Sequence, residues 1–122
     1  MALPTRLPDP VLPRLTGGPR LRWGVLAPGG IARAFAAAVR SSTRQQLVAV
    51  GSRSQERADA FAAEFGIPAV YSSYEQLVAD PQVQAIYVAS PHSDHLAHAL
   101  LAIRAGKHVL VEKSFARNAA EA

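Results

Sequence analysis

The sequence contains no cysteine. That excludes a disulfide scaffold, thiolate zinc sites and cysteine nucleophiles, and it fits a cytoplasmic protein. No apolar run approaches the roughly 18 residues needed to cross a bilayer, so no membrane partner is expected. The first 20 residues hold five prolines and three arginines but no continuous apolar stretch, which argues against a secretory signal. Acids are outnumbered, 9 against 13 Lys and Arg, for a formal charge of +4. Yet the basic residues form no run, interleave with no aromatics and share no zinc-finger spacing. A solvated surface explains them, and no nucleic acid is expected as a partner.

What is present is apolar: 49% of 122 residues, enough for one folded domain with a real core. Prolines at 4, 8, 10, 13 and 19 leave no uninterrupted helix or strand, so residues 1–20 read as a flexible proline-rich leader. From Leu21 a regular alternation begins. Short apolar runs lie at Trp23–Leu26, Leu47–Val50, Ala69–Tyr71, Ala85–Ala89 and His108–Val111. Between them fall amphipathic stretches. Ile31, Phe35 and Val39 have helical spacing, and so do Ala58, Phe61, Ala62 and Phe65 behind a Ser54 cap, closed by Gly66. Ser73 opens a capping box over a short helix with Leu77 and Val78. Ser93 is expected to cap a helix whose buried face is Leu96, Leu100 and Ile103, with Gly106 at its end. Short apolar strands alternating with helices predict α/β architecture: a doubly wound parallel sheet of about five strands, the Rossmann arrangement.

Asn118-Ala119-Ala120-Glu121 has the form of a helix start, and the chain stops at Ala122. We therefore expect residues 21–122 to be a Rossmann-type domain truncated at the start of the following helix. A C-terminal substrate domain is then absent.

Ala27-Pro28-Gly29-Gly30-Ile31-Ala32 fills the turn between the first strand and first helix. The dinucleotide fingerprint there is G-x-G-x-x-G/A: its middle glycine admits the pyrophosphate and the helix N-terminus offers free N–H groups. Gly29 fits the middle position and Ala32 the last, while Ala27 stands where glycine is usual. Pro28 removes a donor and should push Ala27 toward an extended conformation. After the second strand, NAD sites usually carry an acid that accepts from the ribose 2′-hydroxyl. Here the chain reads Gly51-Ser52-Arg53-Ser54, with no acid before Glu56. Arg53, flanked by Ser52 and Ser54, suits a 2′-phosphate instead, so NADP is expected as the cofactor, with NAD as the alternative.

Taken in order, Arg22-Trp23-Gly24-Val25-Leu26, Ser52-Arg53-Ser54, Ser90-Pro91-His92-Ser93-Asp94-His95 and Ala105-Gly106-Lys107-His108-Val109-Leu110-Val111-Glu112-Lys113 resemble the N-terminal domain of the Gfo/Idh/MocA oxidoreductase family. The resemblance spans about residues 21–122. Ser52-Arg53-Ser54 with Tyr71–Glu75 looks most like the dihydrodiol and NADP-linked sugar dehydrogenase branch. It implies an oxidoreductase that moves a hydride between nicotinamide and the hydroxyl-bearing carbon of a sugar, cyclitol or diol. The small-molecule substrate would bind only with a second domain. It also implies that Lys113, beside Glu112, acts on the reacting oxygen, and that Ser90, Pro91, His92 and His95 lie by the cofactor with Ala27, Gly29, Gly30 and Ile31. The family motif is Glu-Lys-Pro. Here Ser114 replaces the proline, which should place Lys113 less firmly.

Two other readings compete. His92, His95 and His98 could be taken for a metal cluster, but 92 precedes the helix and no cysteine joins them, so no metal is expected. Lys113 could be a solvated strand-end lysine. At the level of function, the alternative is a non-catalytic dinucleotide-binding module or an inactive remnant.

Overall fold

The computed structural model describes residues 5–6 and 8–122. Nine elements follow in order: β1 (Arg22–Leu26), α1 (Gly30–Ser42), β2 (Gln46–Gly51), α2 (Gln55–Phe65), β3 (Ala69–Tyr71), α3 (Tyr74–Ala79), β4 (Ala85–Val88), α4 (His95–Arg104) and β5 (His108–Val111). All strand pairs are parallel, and the sheet order is β3-β2-β1-β4-β5. That order reverses direction at β1, which is the doubly wound topology expected from the alternation of runs.

Each face of the sheet buries its own cluster. Val25, Val50 and Tyr87 face α1 and α2, against Ala32, Ala36, Ala58, Phe61 and Ala62. Leu26, Ala49, Ile86 and Val88 face the other way, against Tyr74, Leu77, Val78 and Ala102. Both faces of a parallel sheet are thus covered, and this is why its central strands read as unbroken apolar runs. The helices sit close. A Cβ added at Gly51 would come within 2.9 Å of Leu77 Cβ, so the glycine is what lets α3 approach β2. Gly66 ends α2 in the left-handed conformation, φ 66°, a backbone state that glycine adopts without strain.

Two helix faces and one cap differ in detail from the spacing pattern. α1 buries Ala32, Ala36 and Val39, while Ile31 is half exposed and Phe35 partly so. Small residues, rather than the large ones, let this helix lie close to the sheet. α4 buries His95 and Ala102, seven residues or two turns apart, which leaves Ile103 exposed one helical step away. Ser93 does not cap α4. The Asp94 N–H bonds the Pro91 carbonyl, so His92–Asp94 form a 3₁₀ turn and Asp94 takes the cap position without a side-chain bond.

Part of the leader, residues 1–4 and 7, lies outside the described residues. Residues 8–20 hold no helix or strand. The end of the leader is nevertheless tied to the segment before β2, where Gln45 donates to the Pro19 carbonyl and Arg44 to that of Thr16. At the far end Asn118 bonds the Glu121 N–H through its side chain, forming a turn rather than an assigned helix.

Candidate cofactor cleft

A cleft of about 900 Å³ opens at the carboxyl ends of β1, β2, β4 and β5. This is where doubly wound sheets bind ligands. One end is built by the β1–α1 turn. Ala27, Pro28, Gly29 and Ile31 line it. Gly29 occupies the N-cap of α1 with no side-chain cap bond, and no acid falls in the first turn, so the first N–H groups of a 13-residue helix are left for an anion. A Cβ built on Gly29 or Gly30 meets nothing within 4 Å, so the approach to the helix end is open.

The turn itself departs from expectation. Ala27 is not extended but left-handed, φ 71°. Its N–H is held by the Gly51 carbonyl and its own carbonyl accepts from Gly29, which closes a tight turn around Pro28. The tertiary bonds override the local preference that proline imposes. The position needs positive φ, which is the physical reason a glycine is usual there.

The second wall follows β2. Ser52, Arg53 and Ser54 line it as expected. Ser52 is buried, its Oγ accepting the Ser54 N–H, and Ser54 Oγ caps α2 through the Arg57 N–H. Each serine therefore already has a backbone partner. Arg57 also lines the cleft, one turn along from Arg53, and it was not singled out in the sequence. Its signal was available: four residues after Arg53 on a helix beginning at Gln55, it shares that end of α2. Among the described residues neither arginine forms an ion pair.

The third wall joins β4 and β5. Ala89, Ser90, Pro91, His92, Glu112, Lys113 and, from α3, Tyr74 line it. Ser90 Oγ is 2.8 Å from His98 Nδ1. Burial pulls the His98 imidazole below its ordinary range, with Arg53 adding in the same direction while Asp94 and Glu75 oppose it. Tyr87 donates its phenol to Glu112 Oε2 at 2.5 Å, and the Lys113 N–H donates to Glu112 Oε1 at 3.0 Å. These two bonds hold the Glu112 carboxyl below the usual carboxylate range. Burial and the same carboxylate push the phenol of Tyr87 well above its ordinary range. The Lys113 side chain is exposed and forms no ion pair among the described residues. The Lys113–Ser114 peptide bond is cis.

Two residues expected at the cofactor do not line the cleft. Gly30 opens α1 but is not part of the wall. His95 is fully buried behind it, with Nδ1 2.6 Å from the Ser114 carbonyl and Nε2 2.8 Å from the Ser90 carbonyl. A ring at the first turn of α4 points back toward the preceding turn and the sheet, which is why a motif histidine became a buried one. Among the described residues, no group of three or more His, Asp or Glu side chains could hold a metal ion. No described helix is long and apolar enough to cross a membrane.

The residues fit a dinucleotide by the chemistry of their donors. A helix N-terminus without a side-chain cap stands at one wall, two guanidinium groups with no ion pair among the described residues at the second, and a lysine with a carboxylate at the third. Such a cleft at a topological switch point defines a nucleotide-binding α/β domain. The comparison with protein families makes the class specific: the oxidoreductase family with an NAD-binding Rossmann fold matches residues 21–122. The chain belongs to this Gfo/Idh/MocA family. It is 46% identical over 103 residues to a trans-1,2-dihydrobenzene-1,2-diol dehydrogenase of Mus musculus, covering 83% of this chain and 31% of that protein. It is 43% identical over 114 residues to a D-xylose 1-dehydrogenase (NADP(+)) of Hypocrea jecorina, covering 84% and 29%. Among solved structures it resembles a 3-ketoreductase of Actinomadura kijaniata, in complex with TDP-benzene and NADP. That match has a TM-score of 0.79 and 33% identity, over 84% of this chain and 33% of the other. The chain thus spans about a third of the length of these relatives.

Proposed function

We propose that this chain is the cofactor-binding part of an NADP-preferring oxidoreductase acting on the hydroxyl-bearing carbon of a sugar, cyclitol or diol. The observation that carries the cofactor preference is the pair Arg53 and Arg57 on the wall after β2, with no acid lining that wall. A guanidinium matches a phosphate with two parallel donors, whereas a bare 2′-hydroxyl would leave both cations unmatched. The free backbone N–H groups at the start of α1, beside the lining residues Gly29 and Ile31, take the pyrophosphate. Ser90, Pro91 and His92 border the nicotinamide end. When bound, the nicotinamide ring supplies the hydride chemistry.

The chain's own contribution at that end is Lys113. Its ammonium donates to the reacting oxygen and exchanges a proton with it, while Glu112 holds the lysine backbone. Support for the substrate class comes from the relatives, a diol dehydrogenase and a xylose dehydrogenase. A cytoplasmic location fits the absence of cysteine. A second reading is a dinucleotide-holding module without catalysis of its own.

Calorimetric titration with NADPH and with NADH tests the cofactor assignment. Saturation with NADPH at least tenfold tighter than NADH is expected, with the preference lost in Arg53→Ala and reduced in Arg57→Ala. Tighter NADH binding would overturn the arginine assignment, and binding of neither by the folded chain would leave the second reading without its ligand. Turnover of NADP with diols or sugars by the chain alone would eliminate the module reading.

A further inference from the structure

Ser114 replaces the proline that the family motif places after Lys113, which raises the question of what holds the lysine. The backbone from Glu112 to Ser114 is pinned at four points. The Glu112 N–H donates to the Val88 carbonyl at 3.0 Å, continuing the β4–β5 ladder. The Lys113 N–H donates to Glu112 Oε1 at 3.0 Å. The other oxygen of that carboxylate receives the Tyr87 phenol. The Ser114 carbonyl lies 2.6 Å from His95 Nδ1.

The two side chains that set these pins come from the interior and do not line the cleft. Tyr87 is 3% exposed, and its ring stacks on Phe35 of α1 with centroids 3.9 Å apart. His95 is 0% exposed and grips both sides of the cleft wall, Ser90 with one nitrogen and Ser114 with the other. Carbonyl oxygens only accept. A neutral imidazole, with one N–H, satisfies one of them, and only the doubly protonated ring satisfies both. Glu112, His92 and His98 are the titratable neighbours that share this corner.

We propose that Tyr87 and His95 are positioning residues for Lys113: Tyr87 acts through the Glu112 carboxylate, and His95 through the Ser114 carbonyl. The phenol fixes the rotamer of Glu112, so that its second oxygen is always presented to the Lys113 N–H. The imidazole fixes the far side of the same residue. Between them the lysine leaves the sheet in one direction, and the serine at 114 is no handicap. This inference rests on the assignment of Lys113 to the reacting oxygen, but its test does not.

The test uses amide hydrogen exchange of the 122-residue chain, read residue by residue by NMR. Tyr87→Phe keeps the ring on Phe35 and removes only the hydroxyl. Losing one charge-assisted hydrogen bond should speed exchange at the Lys113 amide about tenfold, with the amides of β4 unchanged. At position 95 two isosteres separate the two contacts. The amide nitrogen of Asn takes the place of Nδ1 and keeps the Ser114 contact, whereas that of Gln takes the place of Nε2 and keeps Ser90. His95→Asn is therefore expected to leave exchange at the Lys113 amide unchanged, and His95→Gln to speed it. Uniform acceleration through β4 and β5 in Tyr87→Phe, or no acceleration at Lys113, overturns the proposal. So does equal behaviour of the Asn and Gln variants. The role of Lys113 itself is read separately, from the shift of its Nζ signal on saturation with NADPH. An unmoved signal sinks that role and leaves the exchange result standing.

Discussion

The two ends of the cleft are built in opposite ways. In the proposed assignment the phosphate end would recognise its ligand with backbone N–H groups at the start of α1 and exposed arginines on the wall after β2. At the β4–β5 end three groups are held from behind: Glu112 by the buried Tyr87, the Ser114 carbonyl by the buried His95, and Ser90 by the half-buried His98. Binding a phosphate asks for charge and free donors, which tolerate some freedom of the side chain. Orienting a proton donor against a reacting atom asks for a fixed geometry, because misplacement of about 1 Å can cost on the order of a hundredfold in rate. The difference therefore separates affinity from positioning within one cleft.

The largest effect should come from breaking the rigid end. His95→Ala removes a fully buried ring and its hydrogen bonding to the Ser90 and Ser114 carbonyls. A loss of about 3 kcal/mol is expected, from cavity formation and lost hydrogen bonds. For a domain of this size that lowers the thermal midpoint by roughly 10–20 °C, which calorimetry or circular dichroism would register. A change below a few degrees would mean that the ring is not a keystone. The corresponding damage at the phosphate end should not touch stability at all. Arg53→Ala is expected to weaken NADPH binding about 10- to 100-fold, the worth of a charge-assisted pair. Its melting curve should be unchanged, and its NADH affinity nearly so. A joint loss of both cofactors would show that Arg53 supports the fold of the wall rather than reading the 2′-phosphate.

The same contrast explains what the sequence revealed. Apolar runs located all five strands: the central ones are buried on both faces and show no alternation, and even the edge strand β5, whose Leu110 is exposed, keeps an apolar run. The lining residues Ala27, Pro28, Gly29, Ile31 and Ser52–Ser54 were legible because each lies in a short turn read directly off the chain, whereas the left-handed Ala27 and the lining Arg57 were not. The β4–β5 end was only half legible. Ser90 to His92, Glu112 and Lys113 do line the cleft, but His95 stood in the same motif and proved to be buried. Whether a histidine faces a cleft or the core depends on the tilt of α4 against the sheet, which no local spacing encodes. Tyr87 gave no signal either, since a tyrosine inside an apolar run reads simply as packing. Its partner Glu112 lies 25 residues away.

A smaller effect tests the turn that joins the two ends. Ala27 holds φ 71° because Gly51 and Gly29 bond its backbone on either side. Left-handed backbone costs an alanine about 1–2 kcal/mol, of which the added entropy of an unfolded glycine takes back roughly half. Ala27→Gly is then expected to stabilise the domain by roughly 0.5–1 kcal/mol and to leave the NADPH preference intact. Destabilisation on denaturant titration would show that the methyl group packs where the turn needs it.

The smallest effect is one of pH and belongs to the rigid end. His98 is held below the ordinary imidazole value of 6.5, first by burial, so the folded chain favours its neutral form. A depressed folded value means that its contribution to stability is full above pH 6.5 and is lost as the pH falls through the lower folded value. The Glu112 carboxyl is also depressed, from 4.5, so its contribution begins to fail only below that pH. The two windows do not overlap at their upper edges. His98→Asn, which keeps a donor or acceptor near Ser90 Oγ but does not titrate, should flatten the melting temperature between pH 6.5 and 4.5 and leave the acid limb below 4.5 as it was. Asp94, Glu75, Arg53 and His95 all face this imidazole and remain in the variant, so a slope that persists unchanged between those limits would show that His98 is not its source.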